Sequence, residues 1–185
     1  MFRSLQRVGR IAFVSALIAW PVVAAAQQPS PLGFGISAGL SEPIGDLGSA
    51  ANGGYNVTGH AWYAPRSMQT VSLRGDIGYD SWGSKGGSFT FRSLSFTGNG
   101  LYHFSQTNGS IFSPYAIAGL GFYNLKTQVN GSTQSASNTN FGIQGGAGFE
   151  VRLAGFATFA ELKIVNVFGD GGSSAWVPLT FGIHF

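Results

Sequence analysis

The chain has no cysteine. Neither a disulfide framework nor a thiolate metal site can therefore hold it together. Charge is scarce as well: Asp, Glu, Lys and Arg make up 9% of the 185 residues, against roughly 25% in an ordinary soluble domain. Long apolar runs are missing after residue 26, where no stretch approaches the ~18 residues of a transmembrane helix. What the chain does have is glycine, 29 residues of it, and 14% aromatics. Few folds suit such a composition. The best fit is a closed sheet whose outer face meets lipid, because closure satisfies every backbone polar group without water.

The first 26 residues stand apart. Arg3, Arg7 and Arg10 precede an apolar run from Ile11 to Trp20, Pro21 breaks it, and Ala24-Ala25-Ala26 offers small residues before Gln27. That is the pattern of a cleavable secretory signal, and the run is short for a spanning helix. Residues 1–26 are expected to be a signal peptide and 27–185 one domain. Three of the ten Lys and Arg residues leave with the signal. The remaining 159 residues carry seven cations and seven anions, so no basic surface points to nucleic acid.

The C-terminus sets the fold. In Ala175–Phe185, Val177, Leu179, Phe181, Ile183 and Phe185 alternate with Trp176, Pro178, Thr180, Gly182 and His184. Strict period-two alternation belongs to a strand with one face in an apolar medium. Seven further strands are predicted: 33–42, 55–63, 69–79, 89–104, 114–125, 140–151 and 156–168. The expected fold is all-β, an eight-stranded antiparallel up-and-down transmembrane β-barrel. Strand 5 is apolar on both faces, and Tyr115, Ile117, Tyr123 and Leu125 are assigned outward. Phe89 and Phe91 are out of phase with Leu94 and Phe96, which calls for a bulge near Arg92-Ser93 or a strand beginning at Ser93. Segments 43–54, 80–88, 126–139 and 169–174 read as external loops, and 64–68, 105–113 and 152–155 as periplasmic turns. Both termini then lie on the periplasmic side.

Aromatics near strand ends (Tyr55, Tyr63, Tyr79, Phe104, Tyr115, Tyr123, Phe149, Phe168 and Phe185) predict interfacial girdles. Arg74, Asp76, Glu150, Glu161 and Lys163 fall on the inward face. Eight strands leave room only for side chains, so these five are expected to form a paired charge network that fills the lumen. The abundance of glycine is read as relief for a sharply curved, crowded wall.

Several stretches resemble the small outer-membrane β-barrel superfamily, the OmpA/OmpX-like and Opa-like outer-membrane β-barrel domain proteins. They are Gly39–Leu47, Ser113–Gly121, Phe141–Phe149, Phe159–Ile164 and Pro178–Phe185. The resemblance covers residues 32–185. It implies residence in the cell outer membrane, among its lipid and lipopolysaccharide. It further implies that Phe181, Ile183 and Phe185 form the assembly signal read by the barrel assembly machinery, after escort by periplasmic chaperones. Bridging to the cell wall, as two-domain relatives do, is not expected.

Some such barrels modify lipid A, a chemistry that needs a nucleophile, a base and an orienting acid. His103-Phe-Ser105 resembles the His-x-Ser pair of a lipid A deacylase, but no carboxylate is placed to orient the histidine and the pair falls at the periplasmic end. Asp80-Ser81 lies in an external loop, yet residues 27–32, Gln-Gln-Pro-Ser-Pro-Leu, cannot form the amphipathic helix of a palmitoyltransferase-like barrel. His60 and His184 face inward without a third metal ligand. Gly145-Gly-Ala-Gly148 lies mid-strand with no helix after it to hold a phosphate. The expected function is a structural or adhesin-like surface role without catalytic residues, cofactor or metal. An unknown external ligand would be met by the polar loop 126–139. The alternatives are a lipid A-modifying enzyme and a narrow pore.

Overall fold

The computed structural model describes residues 31–65, 67, 70–104, 111–131, 135–169 and 172–185. The expected signal segment lies outside them. Eight strands follow in order: β1 (Leu32–Ile44), β2 (Gly54–Tyr63), β3 (Val71–Gly83), β4 (Phe89–His103), β5 (Phe112–Val129), β6 (Ser135–Leu153), β7 (Phe156–Gly169) and β8 (Gly172–His184). Each pairs antiparallel with its neighbours, and β8 returns to β1, so the barrel is closed. Phe34 and Phe185 exchange backbone hydrogen bonds at 3.0 and 3.1 Å. The C-terminal residue thus seals the wall at the rim that bears both ends of the barrel.

Alternation sorts the residues as a membrane wall requires. Large apolar side chains, among them Phe34, Leu40, Ile77, Phe96, Leu162 and Phe181, point outward and are exposed. The inward positions are largely Ser, Thr, Asn, Gln, Gly and charged groups. Aromatic pairs mark two belts. At one rim stand Tyr55–Tyr79, Phe122–Phe141 and Phe141–Phe168, and at the other Tyr102–Phe104 and Phe112–Phe149.

Two expectations about phase are corrected. On β5 the inward residues are Tyr115, Ile117 and Tyr123, at 2–3% exposure, with Leu125 partly buried, whereas Leu120 and Phe122 face outward at 57% and 60%. Polarity could not decide this, because both faces are apolar. Shape decides it. The Tyr115 ring lies over Gly148 of β6 and the Tyr123 ring over Gly142, where any Cβ would collide. In the same way Asn99 and Thr97 of β4 occupy the space over Gly119 and Gly121. Inward bulk on one strand therefore meets inward glycine on the next. Tyr115 and Tyr123 accordingly belong to the lumen and not to the girdles.

The second correction concerns β4. Its register is unbroken from Phe89 to His103 against β5 and from Thr90 to Tyr102 against β3, so there is neither a bulge nor a late start. Phe91 is inward, packed against a buried cluster that closes the lumen. An apolar residue out of phase with the lipid face is here a plug residue.

The loops also differ from expectation. Much of 80–88 and 126–139 is strand: Gly83 pairs with Thr90, and Gln128 with Ser135. A six-residue helix, α1 (Gly45–Ala50), interrupts the first loop.

Candidate functional site

Buried side chains occupy much of the lumen. Arg74 lies at its centre and bridges two carboxylates. Its Nη1 and Nη2 donate to Glu161 Oε2 and Oε1 at 2.9 and 2.8 Å, the bidentate geometry that suits a guanidinium. On the other side Nη2 donates to Asp76 Oδ2 at 3.0 Å and Nε lies 2.9 Å from Oδ1. Lys163 Nζ stands 3.1 Å from Glu161 and 4.0 Å from Asp76. The remaining acceptor positions are taken by Tyr115, whose hydroxyl donates to Glu161 at 2.9 Å, and by Asn99, whose amide donates to Asp76 at 3.0 Å. Gln144 donates in turn to Asn99 and to Thr97. Two cations and two anions balance, and Glu161 is 1% exposed.

Four of the five expected network residues thus converge. The fifth, Glu150, does not join them. It sits toward the rim with the termini, 2.8 Å from Arg152 and 3.1 Å from His184. The i, i+2 pairs Arg74–Asp76 and Glu161–Lys163 were visible in the sequence. The contact between them crosses the lumen from β3 to β7, and no local spacing announces it.

Above this network, away from the termini, Trp82 and Trp176 meet edge to face with ring centroids 5.2 Å apart. Tyr123, Val165, Val167 and Ala51 complete the plug, and Leu47 of α1 and Phe91 pack against it. The Trp82 indole donates to the backbone oxygen of Ser41 at 3.1 Å. Asp80, expected in a loop, points inward from β3 and accepts from Ser41 Oγ at 2.8 Å. Between plug and network lies a polar cavity of about 30 Å³, lined by Asp76, Asp80, Lys163, Tyr123 and Trp176 among others. That volume suits one or two waters.

One arrangement escaped the sequence reading. Ser37 Oγ lies 2.7 Å from His60 Nε2, and His60 Nδ1 lies 2.9 Å from Asp76 Oδ1. The order is nucleophile, base and orienting acid. These residues come from three successive strands, and only the register that sets His60 opposite Asp76 makes them neighbours. Ser37 is buried against the backbone of Gly182, and Asp76 is shared with Arg74. The hydroxyl therefore faces packed side chains rather than a cleft. His103 contacts Ser72 at 3.2 Å and Ser113 at 3.3 Å, both near the rim with the termini; Ser105 lies outside the described residues. No group of three metal-ligating His, Asp or Glu side chains gathers among the described residues.

The second candidate surface is outside the barrel. β5 and β6 run 18 and 19 residues, longer than the ~9–11 a tilted strand needs to cross a bilayer. The β6–β7 ladder ends at the Gly142–Val167 pair, so residues 135–141 extend with an edge that pairs with no further strand among the described residues. The opposite edge of this raised sheet is covered: Ala51 bridges Ser84, the Asn52 backbone N–H donates to Gly83 O, and the Lys85 backbone N–H donates to Ala50 O.

Comparison with known proteins fits this geometry. A profile of the outer membrane protein beta-barrel domain matches residues 12–175. Neisserial surface protein A is similar in structure, with a TM-score of 0.66 at 18% identity over 85% of this chain and 98% of its own. Ail, the attachment invasion locus protein of Yersinia pestis, gives 0.51 at 18% over 85% of this chain and 100% of its own. The outer membrane enzyme PagL gives 0.52 at 20% over 80% and 97%. At these identities the likeness is one of fold. No curated protein matches the sequence. The profile spans most of the chain, the barrel closes with lipid-facing side chains outside and polar ones within, and the protein belongs to the outer membrane protein beta-barrel domain family of the cell outer membrane.

Proposed function

We propose that the protein is a non-enzymatic surface-interaction barrel whose lumen is a structural filling and whose working surface is the raised β5–β6 hairpin. The observation that carries this reading is the edge of β6 at Ser135–Asn140, unpaired among the described residues. Residues 135–139 are exposed, and the edge contains neither charge nor proline, two of the devices by which edges are blunted. An edge of that kind accepts an extended segment of another chain by strand addition. The surface thus lies where the polar segment 126–139 was expected, as a hairpin and not as a loop.

Replacing residues 126–139 with a two-residue turn is expected to leave the gel shift on boiling intact and to abolish adherence of a non-adherent strain displaying the protein. Retained adherence sinks the proposal. The filled lumen gives a companion expectation: reconstituted in planar bilayers, the protein should show no large, stable conductance, and a steady open level would favour the pore reading.

A second reading, a lipid A-modifying enzyme, draws on the Ser37–His60–Asp76 chain and on the similarity in fold to PagL. Burial of Ser37 weighs against it, since a nucleophile must reach its substrate. Mass spectrometry of lipid A from cells with and without the protein separates the two readings. The assembly role of Phe181, Ile183 and Phe185 is proposed on their outward placement along the closing strand, with the barrel assembly machinery as reader.

A further inference from the structure

Three cross-strand rows climb the outer face of β3 to β6. The lowest is Ile77, Phe96, Phe122 and Phe141, and the next is Tyr79, Leu94, Asn124 and Thr139. The third is Ser81, Arg92, Lys126 and Ser137. Arg92 and Lys126 are direct cross-strand partners, and like charges so placed destabilise a sheet. Among the described residues no carboxylate pairs with either of them, since the ion pairs are formed by Arg74, Arg152, Lys163, His60 and His184. Arg92 Nε is in addition a buried donor without an acceptor. A buried unsatisfied donor on a charged group is costly, and two such costs at one place point to an anion from outside the chain.

Height identifies the anion. Tyr79 and Leu94 form the highest apolar row on β3 and β4, and Arg92 lies two residues farther along its strand. At about 3.4 Å per residue and a tilt of about 40°, that is roughly 5 Å above this row. The headgroup zone begins at the hydrocarbon edge and extends about 5–7 Å, so the two cations stand at the level of headgroup phosphates and the first sugars. The face below them is continuous through Leu94 to Phe96 and Phe122, which suits acyl chains. A ligand with a phosphate above and hydrocarbon below spans both parts, whereas a free anion would use only the upper one.

We infer that Arg92 and Lys126 form a binding site for a phosphate of an outer-leaflet glycolipid, the phosphorylated diglucosamine headgroup of lipid A. The guanidinium provides a forked contact to phosphate oxygens and the ammonium a point charge. Bound phosphate relieves the repulsion between the two cations across β4 and β5.

The test titrates the purified full-length barrel in detergent with bisphosphorylated lipid A and reads bound lipid by native mass spectrometry. The double variant Arg92→Gln, Lys126→Gln should bind at least tenfold more weakly, and the charge-preserving Arg92→Lys, Lys126→Arg should stay within about threefold of the parent. Both positions face outward, and heat-modifiable mobility verifies that each variant is folded. Fully dephosphorylated lipid A should bind the parent as weakly as bisphosphorylated lipid A binds the Gln variant. Equal binding of the Gln variant and the parent, or of dephosphorylated and phosphorylated lipid, overturns the site. Displacement of lipid A by an equimolar amount of inorganic phosphate would show a free-anion site and overturn the lipid assignment.

Discussion

Arg74→Met should destabilise the folded barrel by about 3–5 kcal/mol, the cost of stranding a buried charge that has lost its partner. Arg74 now faces Glu161 in a bidentate contact and Asp76 through two nitrogens. Without it the only remaining cation is Lys163, 3.1 Å from one carboxylate and 4.0 Å from the other. The network passes from balanced to net negative in a place water barely reaches. Arg74→Met combined with Glu161→Gln restores the balance, and the amide oxygen still accepts from Tyr115. The double variant should therefore recover more than half of the loss. Equilibrium unfolding in urea from lipid vesicles, followed by tryptophan fluorescence, measures both. Arg152→Met is the internal contrast: its ion pair with Glu150 is half exposed on the arginine side, so its removal should cost less than about 1 kcal/mol. A loss below 1 kcal/mol for Arg74→Met, or a double variant weaker than the single one, would show that the network does not act as a balanced unit.

The same network shows how far the sequence could be read. Period-two alternation was sufficient wherever one face is lipid and the other polar, as in β1, β2 and β8, and there the strands and their inward residues follow directly. It failed on β5, where Tyr115, Ile117 and Tyr123 look as lipid-compatible as Leu120 and Phe122. Their direction depends on empty space over Gly148 and Gly142 of a neighbouring strand, and polarity carries no information about that. The raised hairpin was misjudged for a related reason. Ser and Asn at 135–140 favour turns and loops by intrinsic preference, but here strand β5 templates them through the pairs from Gln128–Ser135 to Tyr123–Asn140. Contacts across the lumen and the Ser37–His60–Asp76 chain need registers, which one sequence does not print. The plug residue Phe91 was ambiguous because an apolar residue out of phase could equally mark a bulge, and Trp82 fell in the segment read as an external loop.

Apart from the glycines held at positive φ, those of the barrel wall include two kinds with opposite expected responses to substitution. A methyl group at Gly39 would overlap the Leu179 carbonyl and stand 2.9 Å from Thr180 Cα, and one at Gly146 would overlap the Leu162 carbonyl and stand 2.7 Å from Lys163 Cα. The obstacle in both cases is backbone of the adjacent paired strand, which cannot move without breaking the ladder. Gly39→Ala and Gly146→Ala should each cost about 2–3 kcal/mol, the upper part of the range for overpacking, and together should deplete the fast-migrating folded band on unboiled gels. Gly98 and Gly100 point outward with nothing within 4 Å. There alanine meets only lipid and removes backbone freedom from the unfolded chain, so Gly98→Ala and Gly100→Ala should be neutral or stabilise by up to about 1 kcal/mol. Similar losses at all four positions would mean that curvature of the wall, acting equally on both faces, demands glycine. The contrast predicted here instead ties the inward glycines to close approach between strands, and leaves the outward ones as positions where this barrel has not been optimised for stability.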